Sequence, residues 1–200
     1  HSIGANLDQE VAQRWINAYQ TQHPDALHAY LFGEDILTDL MSKDGAAGLW
    51  IMKGLTKLKE ERLVLYPANE EGEIWGNQSI DGRTNTGSTT VDSGQMCPPH
   101  CPESGLGSRV SEKVSEIGSE IAQDQGVDWT ARYQVLNPNQ TKGFLFGDEV
   151  VTQLLHSEGA VGIWFYFGFD EDNKEKMILY AADRNGNLLN GGADPVTALY

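Results

Sequence analysis

Leu31-Phe32-Gly33-Glu34-Asp35 and Leu145-Phe146-Gly147-Asp148-Glu149 are nearly the same phrase, written twice at a spacing of 114 residues. Aligned on that phrase, Trp15–Asn77 matches Trp129–Gly191 without a gap, and 19 of the 63 positions are identical. The identities include Trp15 with Trp129, Tyr19 with Tyr133, Pro24 with Pro138, Gly45 with Gly159 and Gly48 with Gly162. Further along come Trp50 with Trp164, Gly54 with Gly168, Tyr66 with Tyr180 and Gly72 with Gly186. Glycines and aromatics are the residue types that fix turns and cores. Self-similarity at one fixed period reads as an internal duplication.

Each copy reads as helix, helix, strand, strand. Leu7, Val11, Trp15 and Tyr19 lie four apart and make one apolar helical stripe. His23-Pro24 ends that helix, because the residue before proline disfavours the α region. A second helix starts near Gly33, with Glu34 and Asp35 in a first turn whose dipole favours negative charge. Its apolar face is Ile36, Leu37, Leu40 and Met41, matched by Val150, Val151, Leu154 and Leu155. Gly45 and Gly159 follow near the helix C-terminal cap. Two strands are predicted next, Gly48 to Lys53 with Arg62 to Tyr66, and Gly162 to Phe169 with Lys176 to Tyr180. Polar turns join them as hairpins.

A lone two-stranded hairpin is marginal in water. The reading is therefore an α+β chain of two tandem α-α-β-β repeats with pseudo-twofold symmetry. Its two hairpins merge into one antiparallel sheet with helices on one face, like a homodimer fused into one chain. The boundaries are 1–77 for the first repeat, 78–108 for a connector, 109–192 for the second repeat and 193–200 for a tail, in one fused unit. Val110, Val114, Ile117 and Ile121 continue an apolar stripe, read as the first helix of the second copy. Gly126 interrupts it and Asp128 is placed to cap a further piece, so one kinked helix and two short ones both stand open.

Composition excludes several function classes. The chain has 14 Lys+Arg against 29 Asp+Glu, a formal charge of −15. That balance argues against binding a nucleic-acid backbone, which needs clustered cations. No run of about 18 apolar residues is present, so no membrane span is expected. No basic-then-apolar leader is visible, although a chain opening on His1 leaves a removed export signal open. Nucleotide-binding loops, Gly-x-Ser-x-Gly and His-Glu-x-x-His are all missing from the sequence. The histidines are His1, His23, His28, His100 and His156; His156 stands where the first copy has Ser42, so the copies share no catalytic histidine.

The connector is rich in Gly, Ser, Thr, Asn and Asp, and holds both cysteines in Cys97-Pro98-Pro99-His100-Cys101-Pro102. Three readings stand open there: a local Cys97–Cys101 disulfide, two free thiols, or a metal site using Cys97, His100 and Cys101. Thiolate and imidazole suit zinc, yet a structural zinc site wants four ligands. Asp170-Glu171-Asp172-Asn173 and Asp183-Arg184-Asn185-Gly186-Asn187 offer oxygen ligands for calcium, but neither fits the twelve-residue calcium loop. The same residues are what tight turns require. The first hairpin tip carries Lys53, Lys57, Lys59 and Arg62 alongside Glu60 and Glu61. The second carries Asp170, Glu171, Asp172 and Glu175 with Lys174 and Lys176; the contrast suits mutual attraction, an asymmetric partner, or simply two solvated turns.

The unit built on Trp129, Tyr133, Phe146-Gly147, Leu154-Leu155, Gly159 to Gly168 and Asp183 to Asn187 resembles a group of uncharacterised proteins from Bacteroidetes-type bacteria. Those proteins carry one such unit followed by a Cys-Pro-Pro-x-Cys segment, which Cys97 to Cys101 resembles. The group has no established activity, so the resemblance brings no catalytic residues. It implies a cytoplasmic location, which favours reduced thiols.

These observations lead to a non-enzymatic, acidic binding protein, of accessory or immunity type, with an unknown protein partner, acting as a monomer or weak homodimer. No cofactor is called for beyond the zinc or calcium alternatives. A second reading is an enzyme or small-ligand sensor with its site between the copies, lined by Trp50, Trp164 and Tyr166. A third is an acidic mimic occupying a nucleic-acid-binding surface.

Overall fold

The computed structural model describes residues 3–74, 79–80, 83–84, 90–92, 94–97, 113–189 and 194–198. The first half runs β1 (Ala5–Asn6), α1 (Gln9–Gln22), β2 (Ala29–Gly33), α2 (Glu34–Met41), β3 (Gly48–Leu55) and β4 (Glu61–Ala68). Short strands β5 (Ser79–Ile80), β6 (Arg83–Thr84), β7 (Thr90–Asp92) and β8 (Gln95–Cys97) lead out of it. After a 3₁₀ turn at Val114–Glu116 come β9 (Ser119–Ile121), α3 (Gln123–Leu136), β10 (Gly143–Gly147) and α4 (Asp148–Leu155). The hairpin β11 (Gly162–Phe169) and β12 (Glu175–Ala182) and then β13 (Val196–Thr197) complete the chain. The chain is α+β, with antiparallel sheets.

Every helix and both hairpin strands of the first half recur 114 residues later with the same bounds. Local signals recur too. Lys59 and Asn173 both take positive φ at the hairpin tips, as do Gly45 and Gly159 after the second helix of each half. Trp50 Nε1 donates to the Gly72 carbonyl at 2.7 Å, and Trp164 Nε1 to that of Gly186 at 2.9 Å.

The two hairpins lie in different sheets, which corrects the expectation of one merged sheet. A six-stranded sheet has the order β1-β13-β12-β11-β2-β8, and a five-stranded sheet the order β10-β3-β4-β7-β9. The halves are joined by an exchange of strands. β2 of the first half pairs with β11 of the second, Tyr30 opposite Phe165. β10 of the second pairs with β3 of the first, Leu145 opposite Trp50. Neither β2 nor β10 is evident by periodicity, because both are short apolar runs without alternation that abut a helix.

One apolar core takes residues from both sheets: Phe32, Ile163, Phe165, Met177 and Leu179 from one, and Leu49, Ile51, Leu65, Phe144 and Phe146 from the other. Leu37 and Leu40 of α2 and Val151 and Leu154 of α4 join it. On the other face of the six-stranded sheet, Trp164, Tyr166, Ile178 and Tyr180 pack with Ala12 and Ile16 of α1. Gly168 lets α1 approach, since a Cβ there would meet Trp15; Gly54 does the same for Trp129 of α3.

The segment before α3 is also corrected. Val114 and Ile117 are buried, but they lie in a 3₁₀ turn and its exit rather than a helix, and Ile121 is in β9. Val110 lies outside the described residues. α3 is a single helix with Gly126 buried inside it. Asp128 pairs with Arg132 one turn on, at 2.7 Å, instead of capping a second piece.

Candidate functional site: the groove of Trp50 beside β10

Two places merit description as sites. The first lies where the halves meet. Lys53 forms an ion pair with Glu175, both side chains 11% exposed. The Lys53 ammonium sits 4.8 Å from the Phe167 ring centroid and 5.7 Å from that of Tyr133. Tyr19 stacks on Phe167 at 5.4 Å, and the Tyr30 hydroxyl donates to the Glu61 carbonyl at 3.0 Å. Burial first, and the negative charge of Glu175 and Glu61 second, push the Tyr19 and Tyr133 phenols well above their ordinary range. Lys53 and Phe167 are the same position of the two halves, as are Glu61 and Glu175, and Tyr19 and Tyr133. The cavity enclosed here is about 30 Å³. It has room for about one water molecule and not for a substrate. The lysine already fills the aromatic ring set, so the cluster reads as a fastening between the sheets. It joins one cation of the first hairpin to one anion of the second.

The second place is on the five-stranded sheet. Trp50, Met52, Ile74, Gln134, Gln140, Lys142 and Gly143 line an open, mostly apolar groove of about 490 Å³. Its indole is held by the hydrogen bond to Gly72, with the ring left half-buried. Along the groove runs β10, the end strand of its sheet. Lys142 is exposed and is the sole charged residue of the lining.

The corresponding place in the other half is closed. β2 stands where β10 stands, but β8 pairs with its outer edge, Ala29 opposite Cys97, Tyr30 opposite Met96 and Leu31 opposite Gln95. The His28 amide donates to the Cys97 carbonyl at 2.7 Å. Cys97, Val114 and Ile117 pack with Leu31, Trp164 and Tyr166 and cover them. As a result Trp164 is 1% exposed. Among the described residues β10 carries no such strand; only its last residue is met, where the Gly147 amide donates to the Ile3 carbonyl at 2.7 Å.

The sequence-chosen residues therefore divide. Trp50 lines the open groove. Trp164 and Tyr166 are neighbours at 5.9 Å between ring centroids, buried under α1 on the other sheet and not brought together with Trp50. Cys97 is buried and disulfide-bonded, against the reduced thiol that a cytoplasmic location favours. A disulfide sulfur supplies no thiolate to a metal. His100 and Cys101 lie outside the described residues.

The acidic turns satisfy themselves. Asp170 Oδ1 accepts from the amides of Asp172 and Lys174, and Asp183 Oδ1 from those of Asn185 and Asn187. No group of three or more His, Cys, Asp or Glu placed to hold a metal occurs among the described residues. Nor is any described helix long and apolar enough to cross a membrane. Met52, Ile74, Lys142 and β10 itself were missed by sequence reasoning. The signal that finds them is the pairing of Lys142 with His28 at the 114-residue spacing, once β2 is known to carry β8. No family model matches the chain, and comparison with curated proteins and with solved structures finds no match.

Proposed function

We propose that the chain is a protein-binding module without catalytic activity of its own. Its docking surface is the β10 edge with the groove of Trp50, Met52 and Ile74. The supporting observation is the groove itself: Trp50, half-buried and fixed by its hydrogen bond to Gly72, lies with Met52 and Ile74 in an open, mostly apolar depression beside β10. An unpaired strand edge beside exposed aromatic surface is costly to leave open, because it invites pairing with other chains. Strand addition is also a common mode of peptide capture, with backbone bonds giving affinity and side-chain pockets giving specificity. Tryptophan is enriched among the residues that dominate binding energy.

A photo-crosslinking residue placed at Gln140 tests the reading, with the same residue at Gln153, on α4, as control. Discrete protein adducts from Gln140 that are absent from Gln153 and lost on Met52→Gln are the expected result. Equal, diffuse labelling from both positions contradicts it.

A further inference from the structure

We infer that the second half of the chain carries a binding site for a primary ammonium group, filled by Lys53 of the first half, and that this site takes a free alkylammonium ion when the lysine is shortened. The inference is independent of the groove beside β10. It rests on how the junction divides between the halves.

Every group that receives the Lys53 ammonium comes from the second half. Glu175 of β12 supplies the carboxylate, and the pair is nearly buried. Phe167 of β11 and Tyr133 of α3 supply ring faces at 4.8 and 5.7 Å from Nζ, within the distance at which a ring quadrupole attracts a cation. Lys53 enters from β3 of the first half. One half is thus host and the other guest. The reverse site is not built: Glu61, the counterpart of Glu175, is exposed, and Phe167 stands where a second lysine would have to be.

Charge and size set the ligand class. A buried carboxylate left without a cation is costly, so the site favours an ammonium over a neutral group of the same shape. Arg62 lines the same cavity, but its guanidinium is engaged by the Glu60 carboxylate at 3.0 Å and the Glu61 carbonyl at 3.2 Å. With Lys53 in place only about 30 Å³ is free. A slot that the lysine side chain fills so closely suits unbranched primary amines and is too narrow for a quaternary ammonium or a free guanidinium.

The test uses the full chain with Lys53→Ala, which removes the carbons beyond Cβ and the ammonium, the same atoms that n-propylammonium supplies. Stability is read by urea unfolding, with n-propanol and sodium chloride at equal concentration as controls. A ligand this small is expected to bind in the millimolar range. At ten times its dissociation constant, n-propylammonium then raises the folding equilibrium constant of the variant about tenfold. Wild type is expected not to respond, and tetramethylammonium not to rescue. If the variant does not fold unaided, recovery of native circular dichroism with n-propylammonium and not with n-propanol is the supporting result.

No rescue, or equal rescue by n-propanol or sodium chloride, overturns the inference. So does an equal response of wild type, which places the effect outside the Lys53 slot. The unaltered chain gives a second reading: ring currents are expected to move the Lys53 ε-methylene protons well upfield of those of the other lysines. An ordinary lysine shift at that position also overturns the inference.

Discussion

At the residue scale, the Lys53–Glu175 pair decides how the two hairpins meet. Its partners are both nearly buried, so removing one leaves an uncompensated charge in a poor solvent for it. Lys53→Ala is expected to cost about 3 kcal/mol in denaturant unfolding. Lys53→Met with Glu175→Met is expected to recover most of that loss, because a buried pair and an apolar replacement often balance. A single-variant cost no larger than that of an exposed pair contradicts the assignment. Gly33 is a second such position: a Cβ there would meet the backbone carbonyls of Val114 and Ser115, which cannot rotate away as a side chain can. Gly33→Ala is expected to destabilise by about 2–3 kcal/mol. The buried phenols give a pH signature. Tyr19 and Tyr133 keep their protons in the folded chain beyond the ordinary range, while in the unfolded chain they ionise near 10. Their contribution is thus whole below pH 10 and falls above it, by up to about 1.4 kcal/mol per pH unit for each. Unfolding midpoints that stay level between pH 10 and 11 contradict this.

At the element scale, the two halves provide controls for one another. α1 and α3 begin with the same backbone geometry, Asp8 at φ −58° and ψ 138° and Ala122 at φ −59° and ψ 137°. Asp8 accepts from the amides of Glu10 and Val11, whereas Ala122 has no side chain that does so. Asp8→Ala is expected to lose about 1 kcal/mol and Ala122→Asp to gain a similar amount, both read by thermal unfolding. No gain from Ala122→Asp contradicts the capping account. The hairpins and α1, α2 and α4 were legible, because stripes of apolar residues, Pro24 and the acidic first turns all mark their bounds. β2 and β10 were not. Ala29-Tyr30-Leu31-Phe32-Gly33 is buried throughout, so it lacks the alternation that marks a half-exposed strand. The stripe from Val114 to Ile121 misled for the complementary reason: buried residues at helical spacing also arise when a turn and a short strand pass over a core.

At the scale of the whole molecule, local signals cannot specify which half a strand will join. β2 and β10 pair across the halves, and that exchange gave two sheets where hairpin-to-hairpin pairing would give one. Fragments 1–108 and 109–200 each lose a strand partner, so neither is expected to unfold cooperatively as a monomer, while their mixture regains the native circular dichroism. A cooperative monomeric half contradicts the exchange. Trp50 was legible as a candidate because an aromatic repeated in both copies draws notice. That Trp164 would be sealed and Trp50 left half-buried among the described residues was not legible, since it depends on where β8 lands. The proposed docking at β10 needs its outer edge accessible, and hydrogen exchange on the free protein measures that directly. Amides of Ala29 to Leu31 are expected to exchange slowly throughout, and the outward-facing amides among Lys142 to Leu145 much faster; equal protection on the two edges contradicts the account.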